Sequence, residues 1–270
     1  MRYVVIDANL LTIDFGIYLE HEDQAVITNA MVGDIAEKKD PLKVERFSRE
    51  FISWYRKRAS NIWVMRDLHD LVELEKSPDS PIDPMGWRDD ACSVVIRKSF
   101  DLYGESTWSE TMLKMTKHPE YVSFGRRKEA FLHITDCVAR AFNENYPTDT
   151  TELRNNWDII APQMIREPRW GSFLLPTLGR THPSTKWKEV LEVFPDKFAA
   201  GRASRINVWY GMMRAVGRTK KFENNYEDAD HAIAASYTGY IATNDSRLKS
   251  TIRAVFPAVT VLEPTAPIGH

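Results

Sequence analysis

The run Tyr3-Val4-Val5-Ile6 is apolar at every position and is followed at once by Asp7. A strand with one wet face alternates. A run that is apolar on both faces must be covered on both, which is the condition of inner strands in a parallel sheet. The far end of the chain repeats the arrangement. Tyr240-Ile241-Ala242-Thr243 runs into Asn244 and Asp245, a helical stretch covers Ser246–Phe256, and a last strand covers Val259–Leu262 before Pro264. Strand, helix and strand in that rhythm specify a βαβ unit. A further strand is expected over Asn61–Met65, after an amphipathic helix Leu42–Arg58 and before a helix carrying Leu68, Leu71, Val72 and Leu74. Another is expected over Ala25–Thr28.

Between Pro84 and Gly217 the pattern turns helical, over Asp89–Leu102, Thr107–Lys117, Arg126–Phe142 and Thr151–Ile165. Turn clusters separate these at Tyr146–Asp149 and Pro176–Pro183. No repeat, low-complexity tract or flexible linker interrupts the chain. The expected fold class is therefore α/β, a three-layer α/β/α sandwich around a central parallel sheet. Residues 1–270 form one domain, with 84–217 a helical insertion packed on it.

A net charge of −2 excludes the strongly basic surface that coats nucleic acid without discrimination. Neither Cys92 nor Cys137 sits in a zinc-ligand spacing, and both read as reduced thiols. With no signal-peptide pattern and no apolar run of the ~18 residues that a membrane span requires, the expectation is a soluble cytoplasmic protein. Walker A, GxGxxG, GxSxG and HExxH motifs are all missing, which argues against nucleotide hydrolysis, dehydrogenation, serine hydrolysis and zinc proteolysis.

Asp7 and Asp245 carry the chemistry. In open parallel sheets ligands bind beyond the carboxyl ends of the strands, where both residues stand. Clustered carboxylates repel one another and are costly to desolvate. A divalent cation offsets that cost, and oxygen-only ligands select Mg²⁺ or Mn²⁺. Each acid also has a plainer reading. Asp7, Asp228 and Asp245 suit helix caps, and His231, one turn from Asp228, suits a half-buried structural histidine.

The opening YVVIDANLL resembles the start of a PIN domain, a hydrophobic strand followed by Asp-x-Asn. The segment DADHAIAASYTGYIATNDSRL resembles the family's end, an aspartate opening a helix and then a Thr-x-Asp strand terminus. NIWVMRDLHDLVELEKSPD fits its mid-chain acid on a helix. The resemblance covers both ends of the chain and not the helical middle. It implies that Asp7, Glu73, Asp228 and Asp245 hold Mg²⁺ or Mn²⁺ and that a metal-activated water cuts a phosphodiester bond. Asp34 rivals Glu73 as the mid-chain ligand. Asn9, Thr243, Asn244 and His231 would support the ligands, and Arg202, Arg205, Arg214 and Arg218 would contact nucleic acid.

Single-stranded RNA is the substrate implied. The sequence leaves open a DNA- or structure-specific nuclease of the same fold and a non-catalytic nucleic-acid-binding module. It also leaves open a toxin-type role with an antitoxin-like protein inhibitor, and a homo-oligomer.

Overall fold

The computed structural model describes residues 1–7, 18–28, 62–66, 68–74, 86–89, 119–145, 147–166, 198–219 and 225–263, with single positions between them. The expected helices Asp89–Leu102 and Thr107–Lys117, and Asp34, lie outside the described residues, as does most of Leu42–Arg58.

The elements, in chain order, are β1 (Tyr3–Ile6), β2 (Gln24–Ile27), β3 (Ile62–Val64), α1 (Leu68–Leu74), α2 (Pro119–Asn145), α3 (Pro147–Asn155), α4 (Trp157–Met164), α5 (Ala199–Ala215), α6 (Asn225–Thr238), β4 (Tyr240–Ala242), α7 (Ser246–Val255) and β5 (Thr260–Leu262). All four strand pairings are parallel, in the order β3-β2-β1-β4-β5. The expected α/β class with a parallel sheet is thus observed. Val4, Val5 and Ile6 are wholly buried, as a doubly covered central strand requires.

From β1 the chain steps outward one way to β2 and β3, and later the other way through β4 to β5. The reversal falls between β1 and β4, and the crevice at such a switch point is where open parallel sheets bind ligands. The register Ile6↔Ala242 carries Asp7 out beside Thr243.

The middle of the chain departs from expectation at one joint. Tyr146–Asp149 reads as a turn, yet α3 begins at Pro147. Proline is favoured at the first helical position, where its missing N–H costs nothing and its fixed φ suits the helix. The stretch expected as one helix, Thr151–Ile165, is two, α3 and α4, meeting at Asn156.

The described helices α2, α4, α5, α6 and α7 bury their apolar side chains in one cluster that also contains Val5, Val26 and Ile241 of the sheet. Helix α5 is buried almost all round, from Ala199 to Met213. It crosses α2 at Gly211, where a Cβ would stand 2.4 Å from Val138 Cγ1, so the two backbones approach as closely as they do only because that residue is glycine. Trp87, Trp157 and Trp209 are all core residues. Among the described residues, no helix is long and apolar enough to cross a membrane.

At the sheet end opposite the switch crevice, Asp23 is fastened to Arg2. Its Oδ1 accepts from Arg2 Nε at 3.0 Å and its Oδ2 from Arg2 Nη2 at 2.6 Å and the Glu20 amide at 2.9 Å. Burial opposes the charge, but the Arg2 pair and the amide outweigh it and hold the Asp23 carboxyl below its ordinary range. A depressed folded value means that this stabilisation is complete above the unfolded carboxyl pKa, about 3.9, and is lost as pH falls through the folded value. Asp23→Asn is expected to cost roughly 1.5–3 kcal/mol in urea denaturation at neutral pH. The difference from wild type should shrink once the solution is acid enough to protonate the wild-type carboxyl. Parallel losses at every pH would mean that the charge contributes nothing.

Candidate metal centre at the β1–β4 switch

Three of the four expected carboxylates lie at the switch end of the sheet, where Asp245 and Asp7 act on Asp228 electrostatically. Asp7 follows β1 and is 5% exposed, a burial that a carboxylate tolerates only when its oxygens are occupied. Thr243 Oγ1 donates to its Oδ2 at 2.5 Å, Asn9 Nδ2 reaches the same oxygen at 3.3 Å, and the Asn9 amide reaches Oδ1 at 3.2 Å. Thr243 Oγ1 in turn accepts from the Asp245 amide at 3.0 Å. One threonine hydroxyl therefore ties the end of β1 to the residue that opens α7.

Asp245 is the N-cap of α7. Its Oδ1 alone takes the amides of Arg247 at 2.7 Å and Leu248 at 2.9 Å. The capping reading of this residue is correct, and the cap uses Oδ1 alone. Asp228 is not a cap. It lies inside the first turn of α6, which begins at Asn225. Burial, with the carboxylates of Asp245 and Asp7, pushes Asp228 up to about 7 against the opposing pull of Arg247 and His231. A raised folded value makes this carboxylate a cost to the metal-free fold that grows as pH rises from the unfolded carboxyl pKa, about 3.9, to about 7 and is constant above it.

Two residues without an assignment from the sequence bear on these acids. Arg247 Nη2 lies 2.6 Å from Asp228 Oδ2. Its signal was available: a basic residue in the first turn of a helix stands against the macrodipole, which favours anions there. The second is Tyr210, fully buried on α5. Burial drives its phenol well above its ordinary range, Asp228 and Asp245 push the same way, and Thr251 and Arg247 oppose them. A neutral hydroxyl from the helical middle thus stands within electrostatic reach of the acids. No sequence signal marks it, because α5 has no single apolar stripe.

His231 is 2% exposed, more deeply buried than expected, with Nδ1 2.6 Å from the Glu227 carbonyl. A carbonyl only accepts, so Nδ1 carries the proton. Asn244 accepts a hydrogen bond from the Tyr18 hydroxyl, which brings the chain ahead of β2 over the same end of the sheet. Glu73 falls in α1 as expected, and its side chain, like Asp34, lies outside the described residues.

The arginines divide. Arg202 donates to Ser236 at 2.9 Å and stacks 3.8 Å from the Tyr237 ring centre, at the far end of α6 from Asp228. Eight residues of helix separate Asp228 from Ser236, about 12 Å at 1.5 Å per residue. Arg205 is half-buried on the same helix as Arg202. Arg214 pairs with Asp136 at 2.6 Å, and Arg218 lies 5.2 Å over the Trp157 ring. Arg214 stands further along α5 than Tyr210, away from Arg202, and Arg218 follows the end of that helix.

The donor chemistry, carboxylate oxygens only, fits a hard divalent cation. Among the described residues, however, no three acidic, imidazole or thiol groups stand close enough together to share one. Arg247 holds Asp228, and α7 holds one oxygen of Asp245. Comparison with protein-family models, with curated proteins and with solved structures finds no match.

Proposed function

We propose that this chain is a Mg²⁺- or Mn²⁺-dependent nuclease of PIN-like type that hydrolyses phosphodiester bonds in single-stranded RNA. The observation that carries the reading is the placing of Asp7, Asp228 and Asp245 at the β1–β4 switch, where burial, and then the charges of Asp245 and Asp7, push Asp228 up to about 7. A fold that gathers acids at such a cost, in the crevice where parallel sheets bind ligands, is suited to a cation there. The three-layer sandwich with residues 84–217 inserted as a helical wall belongs to the same proposal, as does Glu73 as a fourth ligand.

Asp7, Asp228 and Asp245 would hold the ion. When bound, it supplies polarisation of the scissile phosphate and a water of lowered pKa. The rest is done by the chain. Thr243 and Asn9 fix the rotamer of Asp7, so its oxygens need no reorganisation. The α7 cap fixes Asp245. Buried Tyr210 stays a neutral phenol within electrostatic reach of Asp228 and Asp245. Arg214 and Arg218 are the candidates for backbone phosphates, whose contacts position a strand without reading its sequence.

The test is cleavage of end-labelled single-stranded RNA and DNA of matched sequence with Mn²⁺, Mg²⁺ or chelator, using Asp7→Asn as control. Metal-dependent cutting of RNA that Asp7→Asn lowers at least ~100-fold is expected. Preferential cutting of DNA would replace the substrate. Binding without cutting at any metal concentration would make the chain a nucleic-acid-binding module.

A further inference from the structure

We infer that Arg247 is a phosphate-binding residue held in reserve: it neutralises Asp228 in the metal-free chain, and a divalent ion on the carboxylates transfers it to an anionic phosphate oxygen. This rests on the metal-dependent reading and adds to it a residue that handles substrate.

Four observations converge. The guanidinium is tied to Asp228 by Nη2 at 2.6 Å and leaves its buried Nε–H with no acceptor among the described residues. An Arg with a spare buried donor is a half-used fork, and the guanidinium fork matches two oxygens of a phosphate as well as it matches a carboxylate. The side chain is 35% exposed, so it is not sealed from solvent behind Asp228. It also stands in the first turn of α7, where helix electrostatics disfavour a cation and favour an anion. The backbone amides there are already spent on Asp245, so an incoming anion at this helix end would be met by the Arg247 side chain.

The exchange follows from charge. A divalent ion drawing on Asp228 and a guanidinium bound to the same carboxylate repel each other, so each weakens the other's hold. Once the ion occupies the acids, Arg247 loses its partner, and a phosphodiester approaching the ion supplies the replacement. Metal and nucleic acid should then bind with positive coupling through this one side chain, because coupling between two ligands is reciprocal. The groups facing Arg247 that bear on the exchange are Asp228 on α6, Asp245 at the start of α7 and Tyr210 on α5.

The experiment measures Mn²⁺ affinity of the full chain by electron paramagnetic resonance of the free ion. It is run with and without a short single-stranded phosphorothioate oligonucleotide that resists cleavage. In wild type the oligonucleotide should tighten Mn²⁺ binding about fivefold or more. Arg247→Gln should bind Mn²⁺ alone about fivefold more tightly than wild type and lose most of the coupling. Arg247→Lys keeps the charge without the fork, and serves if the glutamine variant does not fold. It should match wild type in Mn²⁺ affinity alone and also lose most of the coupling.

Unchanged or weaker Mn²⁺ binding by Arg247→Gln, or full coupling retained in either variant, overturns the assignment while leaving the metal site intact. Absence of Mn²⁺ binding in wild type and both variants removes the metal reading itself, and the inference with it.

Discussion

Asparagine at position 245 is expected to abolish the Mn²⁺-induced rise in Tm and to lower RNA cleavage by at least ~100-fold, while leaving the metal-free chain as stable as wild type. Alanine at the same position should lose both function and stability. The split follows from the way Asp245 uses its two oxygens. Oδ1 caps α7 through the amides of Arg247 and Leu248, and Oδ2 is the oxygen proposed for the cation. Asparagine keeps a carbonyl oxygen for the cap and ranks with aspartate at that position, whereas alanine forfeits the cap at about 1 kcal/mol. Removing the negative charge also relieves the repulsion that helps push Asp228 upward, so the metal-free asparagine variant gains a little where it loses nothing.

On the proposed metal-dependent reading, metal-linked stabilisation is the larger quantity. A ligand that binds only the native state adds about 2.7 kcal/mol at a concentration of 100 times its Kd. Thermal melts of wild type, Asp245→Asn and Asp245→Ala, each with chelator and with saturating Mn²⁺, separate the two roles. A metal-induced rise that persists in Asp245→Asn would leave this residue as a cap and nothing more.

Why Asp245 was legible and Arg247 was not is a matter of what local pattern encodes. The strands could be read because each is a short apolar run closed by a polar residue. Tyr3–Ile6 and Tyr240–Ala242 carry their burial in their composition. Their adjacency could not be read. The pairing of β1 with β4 joins positions more than two hundred residues apart, and in the sequence it stands only as a condition on which a shared crevice depends. The structure meets that condition.

Asp228 and Asp245 share a short segment with distinctive order, so they were found together, while the choice between capping and ligation turns on side-chain hydrogen bonds that no periodicity reports. In the sequence only the place of Arg247 against the helix dipole sets it apart from a helical surface residue. Tyr210 and the arginines of α5 fail for another reason. That helix is covered by α2, α1, α6 and α7 on most sides, so its sequence carries no amphipathic face from which an inward direction could be read. The joint at Pro147 was misread because proline both ends chains of helix and starts them, and which of the two applies depends on the residues that follow.

Trp209→Ala is expected to destabilise the chain by about 3–5 kcal/mol and to do so in one cooperative transition, with helices and sheet lost together. Trp209 is 2% exposed on α5 and tilts against Trp157 of α4 at a centroid distance of 4.7 Å. Its indole Nε1 donates to Thr251 Oγ1 of α7 at 3.2 Å. Truncation removes a large apolar side chain from the shared core and leaves the buried Thr251 hydroxyl without that donor, so cavity and hydrogen-bond costs add. The same residue decides how the helical middle relates to the sheet. If the helices between β3 and β4 were a separate module, their loss would leave the strands and α7 folded, and melting would show two steps. Their apolar side chains instead lie in one cluster with Val5, Val26 and Ile241, and Thr251 belongs to the helix that Asp245 caps. Loosening α5 should therefore loosen the end of α7 that holds Asp245 and Arg247. In the variant, Mn²⁺ affinity should fall along with stability, even though Trp209 is not itself a ligand. Circular dichroism followed through denaturation, in parallel with Mn²⁺ binding at a temperature where the variant is still folded, distinguishes the cases. A first transition that removes helix while Mn²⁺ stays bound would show that the helices fold apart from the metal centre and only lean on it.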